Sequence, residues 1–148
     1  PRSTLFPYTT LFRSTFFFGI YESGSQTVTF SNAGHPSPYH YSSKERQWRI
    51  IEEGEFPLGV IEHYAYPTYL CPLKEGDFLV LYSDGILEAI NPQGQRYGSE
   101  RFLQLLRSKE WSSPDELESE ILRGVSDFCQ GVAPTDDRTM LILSGLMP

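Results

Sequence analysis

The sequence predicts an α+β fold built on a mostly antiparallel sheet, and three observations lead to that prediction. Short segments rich in β-forming residues and bounded by turn residues fill the first half of the chain. Two segments with helical periodicity then follow each other directly, and one more strand-like segment closes the pattern at 138–144. Because the strands come as a run and the helices come together, we expect the helices to lie on a mostly antiparallel sheet.

The predicted strands are joined by short polar turns, as in a meander. Segments 15–21 and 26–31 flank a turn that contains Gly24, and Val28 and Phe30 alternate with polar residues, which predicts a β-hairpin. A second hairpin joins 38–42 to 47–51 through a polar turn. Further strands are predicted at about 65–71 and 78–81.

Both predicted helices have a recognisable start. Ser99 is expected to open the first helix as its cap. The second helix begins with the capping box Ser113 to Glu116 and has Pro114 at its first helical position. The apolar faces consist of Phe102, Leu105 and Leu106 in the first helix and Leu117, Ile121, Val125 and Phe128 in the second. Each helix is therefore expected to pack one face on the sheet.

Length and composition limit the classes of protein. With 148 residues the chain is long enough for one domain, or a piece of one, and the 39% hydrophobic content suits a packed core. The net charge of -7 argues against a nucleic-acid-binding surface. No apolar run approaches the roughly 20 residues that span a bilayer, and no secretory signal is visible. Cys71 and Cys129 lack the spacing of a zinc site, so we expect reduced core cysteines in a cytoplasmic protein without nucleic-acid or membrane partners in this segment.

Acidic residues stand at the ends of two predicted strands. Asp84 follows the apolar segment 78–81 and precedes Gly85, and the pair Asp136 and Asp137 precedes the closing strand. Carboxylates held at strand ends are suitable ligands for Mg²⁺ and Mn²⁺. Adjacent side chains in extended backbone point in opposite directions, so only one member of the pair is expected to reach a given metal. Taken alone, each site could instead be an ordinary turn or a solvated loop.

Other polar residues leave alternatives open. His35 could act as a general acid or serve as a structural hydrogen-bonding residue. Glu88 could face a cleft or stabilise the start of a helix. His40 and His63 have no motif around them and are expected to be surface or interface residues.

Four motifs occur in an order and spacing that resemble one protein family. They are Asn32-Ala33-Gly34-His35, Phe56-Pro57-Leu58-Gly59, Ser83-Asp84-Gly85-Ile86-Leu87-Glu88-Ala89 and Asp136-Asp137-Arg138-Thr139. With them, the chain resembles the C-terminal part of the PPM-type, metal-dependent serine/threonine phosphatases. The resemblance is to the branch of the sporulation stage II protein E and the sigma-factor regulatory phosphatases, and it extends from about residue 15 to residue 143.

The resemblance implies a fold and a site. The PPM fold is a sandwich of two antiparallel sheets with helices on the outside and metal ions in a cleft at one end. On that template the chain is an incomplete domain that lacks the part that usually supplies the first metal-binding aspartate. Asp84 and Asp136 would be ligands of two Mn²⁺ or Mg²⁺ ions and would act through a metal-activated water. Gly85, Asp137 and His35 would lie beside the ions or in the cleft, with Asp137 capping backbone amides or orienting a ligated water.

The implied function is that of a hydrolase: removal of phosphate from phosphoserine or phosphothreonine on a regulatory protein. The partner would be a phosphorylated anti-sigma-antagonist type of protein, and an upstream sensor domain is expected in the parent protein. The isolated chain is expected to turn over poorly. A catalytically degenerate module that binds a signalling partner is the alternative, and a β-rich ligand-binding domain unrelated to phosphatases is a third interpretation.

The first fourteen residues do not continue the pattern of the fold. The sequence Thr-Leu-Phe occurs at 4–6 and again at 10–12, and neither helical nor strand periodicity extends through this segment. Our hypothesis is that residues 1–14 are a non-native leader in place of an upstream half-domain, and that 15–148 form the C-terminal part of a PPM-type domain. A continuous native reading frame through residues 1–14, found by resequencing, would contradict this hypothesis.

Overall fold

A computed structural model describes residues 13–145 of the chain. Within this range the strands are β1 (Phe16–Glu22), β2 (Thr27–Ala33), β3 (Tyr39–Ser42), β4 (Gln47–Ile50), β5 (Tyr69–Pro72), β6 (Phe78–Tyr82) and β7 (Met140–Ser144). The helices are α1 (Asp84–Leu87), α2 (Gly98–Leu106) and α3 (Pro114–Cys129). The leader predicted at residues 1–14 lies outside the described residues except for its last two positions.

The strands form two antiparallel sheets. The first has the order β1-β2-β5 and the second the order β4-β3-β6-β7. The hairpin of β1 and β2 places Tyr21 opposite Val28, and β6 pairs with β7 so that Val80 lies opposite Ile142. The predicted α+β class, with antiparallel sheets and helices packed against them, is confirmed.

Strand β6 lies between two apolar cores. Its residues alternate between them, because successive side chains of a strand point to opposite faces. Phe78, Val80 and Tyr82 pack into the core beneath the helices, whereas Leu79 and Leu81 pack into the core between the two sheets. All five residues are buried, which explains why this segment is apolar throughout rather than alternating.

The described residues therefore form three layers, namely helices, second sheet and first sheet. Helices α2 and α3 cover the outer face of the second sheet, and their inward residues include Phe102, Leu117 and Ile121. On the outer face of the first sheet, large apolar side chains are exposed: Phe16, Phe18, Ile20 and Leu70. Within the described range the helices thus lie on one outside face of the sandwich.

The start of α3 is confirmed and the start of α2 is corrected. Ser113 accepts a hydrogen bond from the Glu116 amide at 3.1 Å, and Pro114 follows it. Ser99 was expected to cap α2, but that helix begins at Gly98 with Tyr97 as its cap residue and without a side-chain cap bond. The buried Tyr97 ring fixes this helix start by packing rather than by a polar cap.

Two further expectations change in the structure. Strand β5 begins at Tyr69 rather than near residue 65, because the preceding segment belongs to a loop in which the Tyr64 hydroxyl donates to Glu55. His40 is not a surface residue: it is 1% exposed, and its Nδ1 accepts a hydrogen bond from Arg49 at 3.3 Å. His40 lies on β3, an inner strand between β4 and β6, where Arg49 of β4 supplies a hydrogen-bond donor to the buried imidazole.

Both cysteines are core residues. Cys71 and Cys129 are buried and unbridged, as expected for core residues. Burial raises the pKa of the Cys71 thiol to about 11, so the thiol is not a reactive one. Among residues 13–145 no helix has the length and hydropathy needed to cross a bilayer.

Candidate active site

Asp84 stands where the central strand of the second sheet leads into a short helix. β6 ends at Tyr82, Ser83 continues in extended backbone, and Asp84 opens the one-turn helix α1. An ordinary turn at Asp84 and Gly85 is therefore excluded. The Asp84 side chain is exposed at this edge of the sheet, while Gly85 and Ile86 behind it are buried.

Ser83 connects the Asp84 segment to the segment that carries the acidic pair. Its hydroxyl donates a hydrogen bond to the Asp137 carbonyl oxygen and accepts one from the Thr139 amide, each at 2.9 Å. Its backbone amide donates to the Thr139 carbonyl oxygen, also at 2.9 Å. Ser83 therefore makes three hydrogen bonds that extend the β6–β7 pairing beyond the ends of both strands.

Gly85 allows the two segments to come into direct contact. A Cβ atom added at this position would clash with the Asp137 carbonyl oxygen, well under 3.0 Å away. It would lie 3.4 Å from the Asp136 carbonyl oxygen. Real Cβ atoms essentially never approach another heavy atom that closely, and the obstacle here is backbone, which cannot rotate away. The glycine of the motif is thus required by this backbone contact.

The two acidic residues of the pair differ in their contacts. The Asp136 carboxylate accepts a hydrogen bond from the Asp137 amide at 2.7 Å, so Asp136 is the residue of the pair that caps a backbone amide. Both side chains are exposed. The Asp137 carbonyl oxygen, rather than its carboxylate, contacts Ser83. The structure therefore places the backbone of the acidic pair against Ser83 and Gly85, the two neighbours of Asp84.

His35 lies close enough to sense the charge of Asp84. Burial lowers the pKa of His35 below its usual value, and the negative charge of Asp84 opposes that effect. Its backbone is held by Asn32, whose side-chain oxygen accepts from the His35 amide at 2.8 Å. Among the described residues its buried Nε2 has no hydrogen-bond partner. His35 also lines, with Ser83 and Thr139, a largely apolar cavity of about 590 Å³ between the two sheets.

The remaining motif residues surround this cluster or lie apart from it. Gly34, with φ of 75°, packs against the Pro57 ring, so the Phe56-Pro57-Leu58-Gly59 loop lies beside the His35 segment. Glu88 is the C-cap residue of α1 and pairs with Arg96 at 2.7 Å, so it does not stabilise a helix start. No role was predicted for Ser83 from the sequence. The one sequence feature that could have indicated its role is a hydroxyl residue directly before a strand-end aspartate.

The side chains that could act as metal ligands decide whether the site fits a divalent cation. Asp84 and Asp136 supply exposed carboxylates of the kind that Mn²⁺ and Mg²⁺ prefer. Within residues 13–145, however, no group of three or more His, Cys, Asp or Glu side chains is placed to hold a metal ion. Residues 1–12 and 146–148 contain none of these residue types. The described residues therefore fit part of a metal site: they offer the exposed carboxylates of Asp84 and Asp136 without a third ligating side chain placed to complete it.

We expect Gly85→Ala to destabilise the fold because the new methyl group collides with the Asp137 backbone. Overpacking of this kind typically costs about 1 to 3 kcal/mol in the free energy of unfolding, which urea denaturation can measure. Gly24→Ala is the matched control: nothing lies within 4 Å of its added Cβ, so a change within about 0.5 kcal/mol is expected. Equal stabilities of the two variants would contradict the contact.

Comparison with known proteins agrees with this geometry. The sequence profile of the stage II sporulation protein E (SpoIIE) family matches residues 8–145, which is nearly the whole chain. The chain belongs to the SpoIIE family. This membership confirms the family resemblance found in the four motifs.

Individual proteins resemble the SpoIIE-family chain in sequence or in fold. It is 31% identical over 80 residues to the phosphoserine phosphatase RsbU of Bacillus subtilis, and this match covers 54% of the chain and 24% of RsbU. The SiaA-PP2C domain of Pseudomonas aeruginosa has a TM-score of 0.75 at 18% identity, covering 91% of the chain and 53% of that domain. The RsbU and RsbW domains of Rv1364c from Mycobacterium tuberculosis have a TM-score of 0.69 at 27% identity, covering 86% of the chain and 35% of theirs.

These similarities establish the fold of the chain and the share of its relatives that the chain spans. The two antiparallel sheets with helices on one outside face form a PP2C-like arrangement, and the chain spans only about half of the SiaA-PP2C domain. It spans about a quarter of RsbU. The structure of this SpoIIE-family chain therefore corresponds to part of the domain found in its solved relatives.

Proposed function

We propose that this chain is part of a metal-dependent phosphatase of the cytoplasm that hydrolyses phosphoserine or phosphothreonine on a regulatory protein. One observation carries the proposal: Ser83 and Gly85 join the strand end that bears Asp84 to the loop that bears Asp136. Membership of the SpoIIE family supports phosphatase chemistry. The similarity to RsbU, a phosphoserine phosphatase, supports the substrate class.

Asp84 and Asp136 are the residues proposed to hold Mn²⁺ or Mg²⁺, with two ions in the complete domain. Bound there, such ions would lower the pKa of a water molecule and neutralise charge on the phosphoryl group. One carboxylate oxygen of Asp136 fixes its own loop through the Asp137 amide. The Asp136 side chain is exposed, and its other oxygen accepts no hydrogen bond among the described residues, which leaves that oxygen for a cation. Asp137 and His35 would orient groups beside the ions, His35 with its imidazole uncharged near neutral pH.

The active unit proposed is longer than this chain. Two carboxylates make an incomplete site for two ions, because each hard divalent cation takes about six oxygen ligands and water molecules fill those positions without balancing the charge of the ion. The chain also spans 53% of the SiaA-PP2C domain. We therefore expect a further carboxylate to come from an upstream segment of the parent protein, which would also carry a sensor domain. The 148-residue chain alone should bind metal weakly and turn over poorly.

The proposed partner is a phosphorylated regulatory protein of the anti-sigma-antagonist type. Support comes from RsbU and from Rv1364c, whose structure joins an RsbU domain to an RsbW domain. A second candidate is a catalytically degenerate module that binds such a partner without hydrolysis. Retention of both Asp84 and Asp136 speaks against this second candidate, because a module that only binds a partner has no need of paired metal carboxylates.

Phosphate release from a phosphoserine protein distinguishes the two candidates. The protein assayed should be the chain extended upstream as its parent gene encodes it, with Mn²⁺ or with excess EDTA. The phosphatase proposal expects release with Mn²⁺, none with EDTA, and little release from a phosphotyrosine protein. Folded protein that binds the phosphoprotein but releases no phosphate with Mn²⁺ would contradict hydrolysis and favour the binding module.

A further inference from the structure

Ser83 carries a role that the four motifs do not assign. It makes bonds to two residues that are 54 and 56 positions away in the sequence, and both lie on the loop after α3. The hydroxyl is half-buried and is used twice, as a donor to the Asp137 carbonyl oxygen and as an acceptor from the Thr139 amide. Both backbone groups belong to residues without regular secondary structure, immediately before β7.

The hydrogen bonds of Ser83 connect the two segments beyond the point where β6 and β7 stop pairing. The β6–β7 register ends with Tyr82 opposite Met140, so the next residues, Ser83 and Thr139, lie beyond the two strands. Beyond this point the Ser83 hydroxyl satisfies one amide and one carbonyl group, and the Ser83 amide satisfies the Thr139 carbonyl oxygen. A backbone polar group left without a partner costs free energy, so these bonds favour one position of the loop.

The position of Asp136 depends on the same contact. Its carboxylate accepts from the Asp137 amide, and the carbonyl oxygen of that same residue accepts from Ser83. On the other side Gly85 leaves room for the Asp137 carbonyl group to pack against α1. Asp137 is thus held from both sides by the two neighbours of Asp84, and this holds Asp136 at a set place relative to Asp84.

We infer that Ser83 is a positioning residue, whose hydroxyl fixes the loop bearing Asp136 to the strand end bearing Asp84 and so sets the spacing of the two carboxylates. The inference rests on the proposed function in one respect, namely that the two carboxylates share bound cations. Groups that orient metal ligands typically contribute about 10- to 100-fold to metal affinity. Ser83 would contribute in this way without touching metal or substrate.

Three variants test the inference in the upstream-extended protein. Ser83→Ala removes the hydroxyl, Ser83→Thr keeps it in an extended backbone position that threonine tolerates, and Ser126→Ala makes the same change on the exposed face of α3. The first measurement needs no metal: amide hydrogen exchange at Thr139. We expect exchange about 10-fold faster in Ser83→Ala, since the amide loses its acceptor, and wild-type exchange in the other two variants.

The second measurement is the dissociation constant for Mn²⁺, followed by the paramagnetic signal of the free ion. Ser83→Ala should weaken binding by about 10- to 100-fold, whereas Ser83→Thr and Ser126→Ala should stay within about threefold of wild type. Unchanged Thr139 exchange in Ser83→Ala overturns the inference, as does equal loss of Mn²⁺ affinity in Ser83→Ala and Ser83→Thr. Wild-type protein that binds no Mn²⁺ would refute the proposed function, and the exchange comparison would still decide whether Ser83 holds the loop.

Discussion

Asp84→Asn is expected to reduce Mn²⁺-dependent phosphate release by about 1,000-fold in the upstream-extended protein. The substitution keeps the size of the side chain but removes the negative charge that a hard cation needs. Metal ions stabilise the transition state of phosphate hydrolysis by several kcal/mol, and each 1.36 kcal/mol is a factor of ten in rate. The exposed position of Asp84 means that the amide can be solvated, so the fold should persist.

Asp127→Asn is the matched control for this prediction. It makes the same change of charge at an exposed position on α3, away from the candidate site. Phosphate release by this variant should stay within about twofold of wild type, since surface substitutions away from a site have small effects. A similar loss of activity in both variants, or full activity in Asp84→Asn, would show that Asp84 is not a metal ligand. Circular dichroism and urea midpoints should confirm that each variant is folded.

Local patterns in the sequence were sufficient to predict most of the fold. The hairpin of β1 and β2 and the start of α3 depend on turn residues, alternation and a capping box within a few positions of one another. The start of α2 was predicted wrongly because Tyr97 fixes it by burial in the core, which leaves no polar cap signal. His40 was misplaced because β3 is an inner strand between β4 and β6, and no residue near His40 in the sequence indicates that position.

In the candidate site, too, local sequence patterns predicted some residues and missed those whose contacts are distant in the sequence. Asp84 and Asp136 were identified from strand-end positions and from the family motifs, and the structure brings their segments together. Whether they bind metal remains a prediction, because ions and a third carboxylate are needed for that. Ser83 was passed over because its bonds link positions 54 and 56 residues apart, and no local pattern encodes such a pairing. Gly85 was expected to lie beside the ions or in the cleft, and no local pattern showed that its backbone packs against the Asp137 carbonyl group.

Phe102→Ala is expected to lower the free energy of unfolding by about 3 to 5 kcal/mol, the usual cost of deleting a buried phenylalanine side chain. Phe102 is fully buried at 0% exposure, and its ring centroid lies 5.2 Å from those of both Tyr39 and Tyr82. These contacts attach α2 to the second sheet directly behind the strand end that bears Asp84. Urea denaturation should show the loss as a lower midpoint with a similar slope.

Leu122→Ala is the control for the loss of packing in Phe102→Ala. Phosphate release by folded Phe102→Ala tests whether the packing of α2 also affects the candidate site. Leu122 lies on α3 with 49% exposure, so its truncation should change the free energy of unfolding by less than about 1 kcal/mol. Tyr82 is held independently, because its hydroxyl donates to the Ser37 carbonyl oxygen at 3.0 Å. Phe102→Ala that remains folded at low temperature should therefore retain most of its phosphate release. Equal destabilisation by the two substitutions would mean that α2 does not pack on the sheet through Phe102, whereas loss of activity from folded protein would mean that α2 supports the site itself.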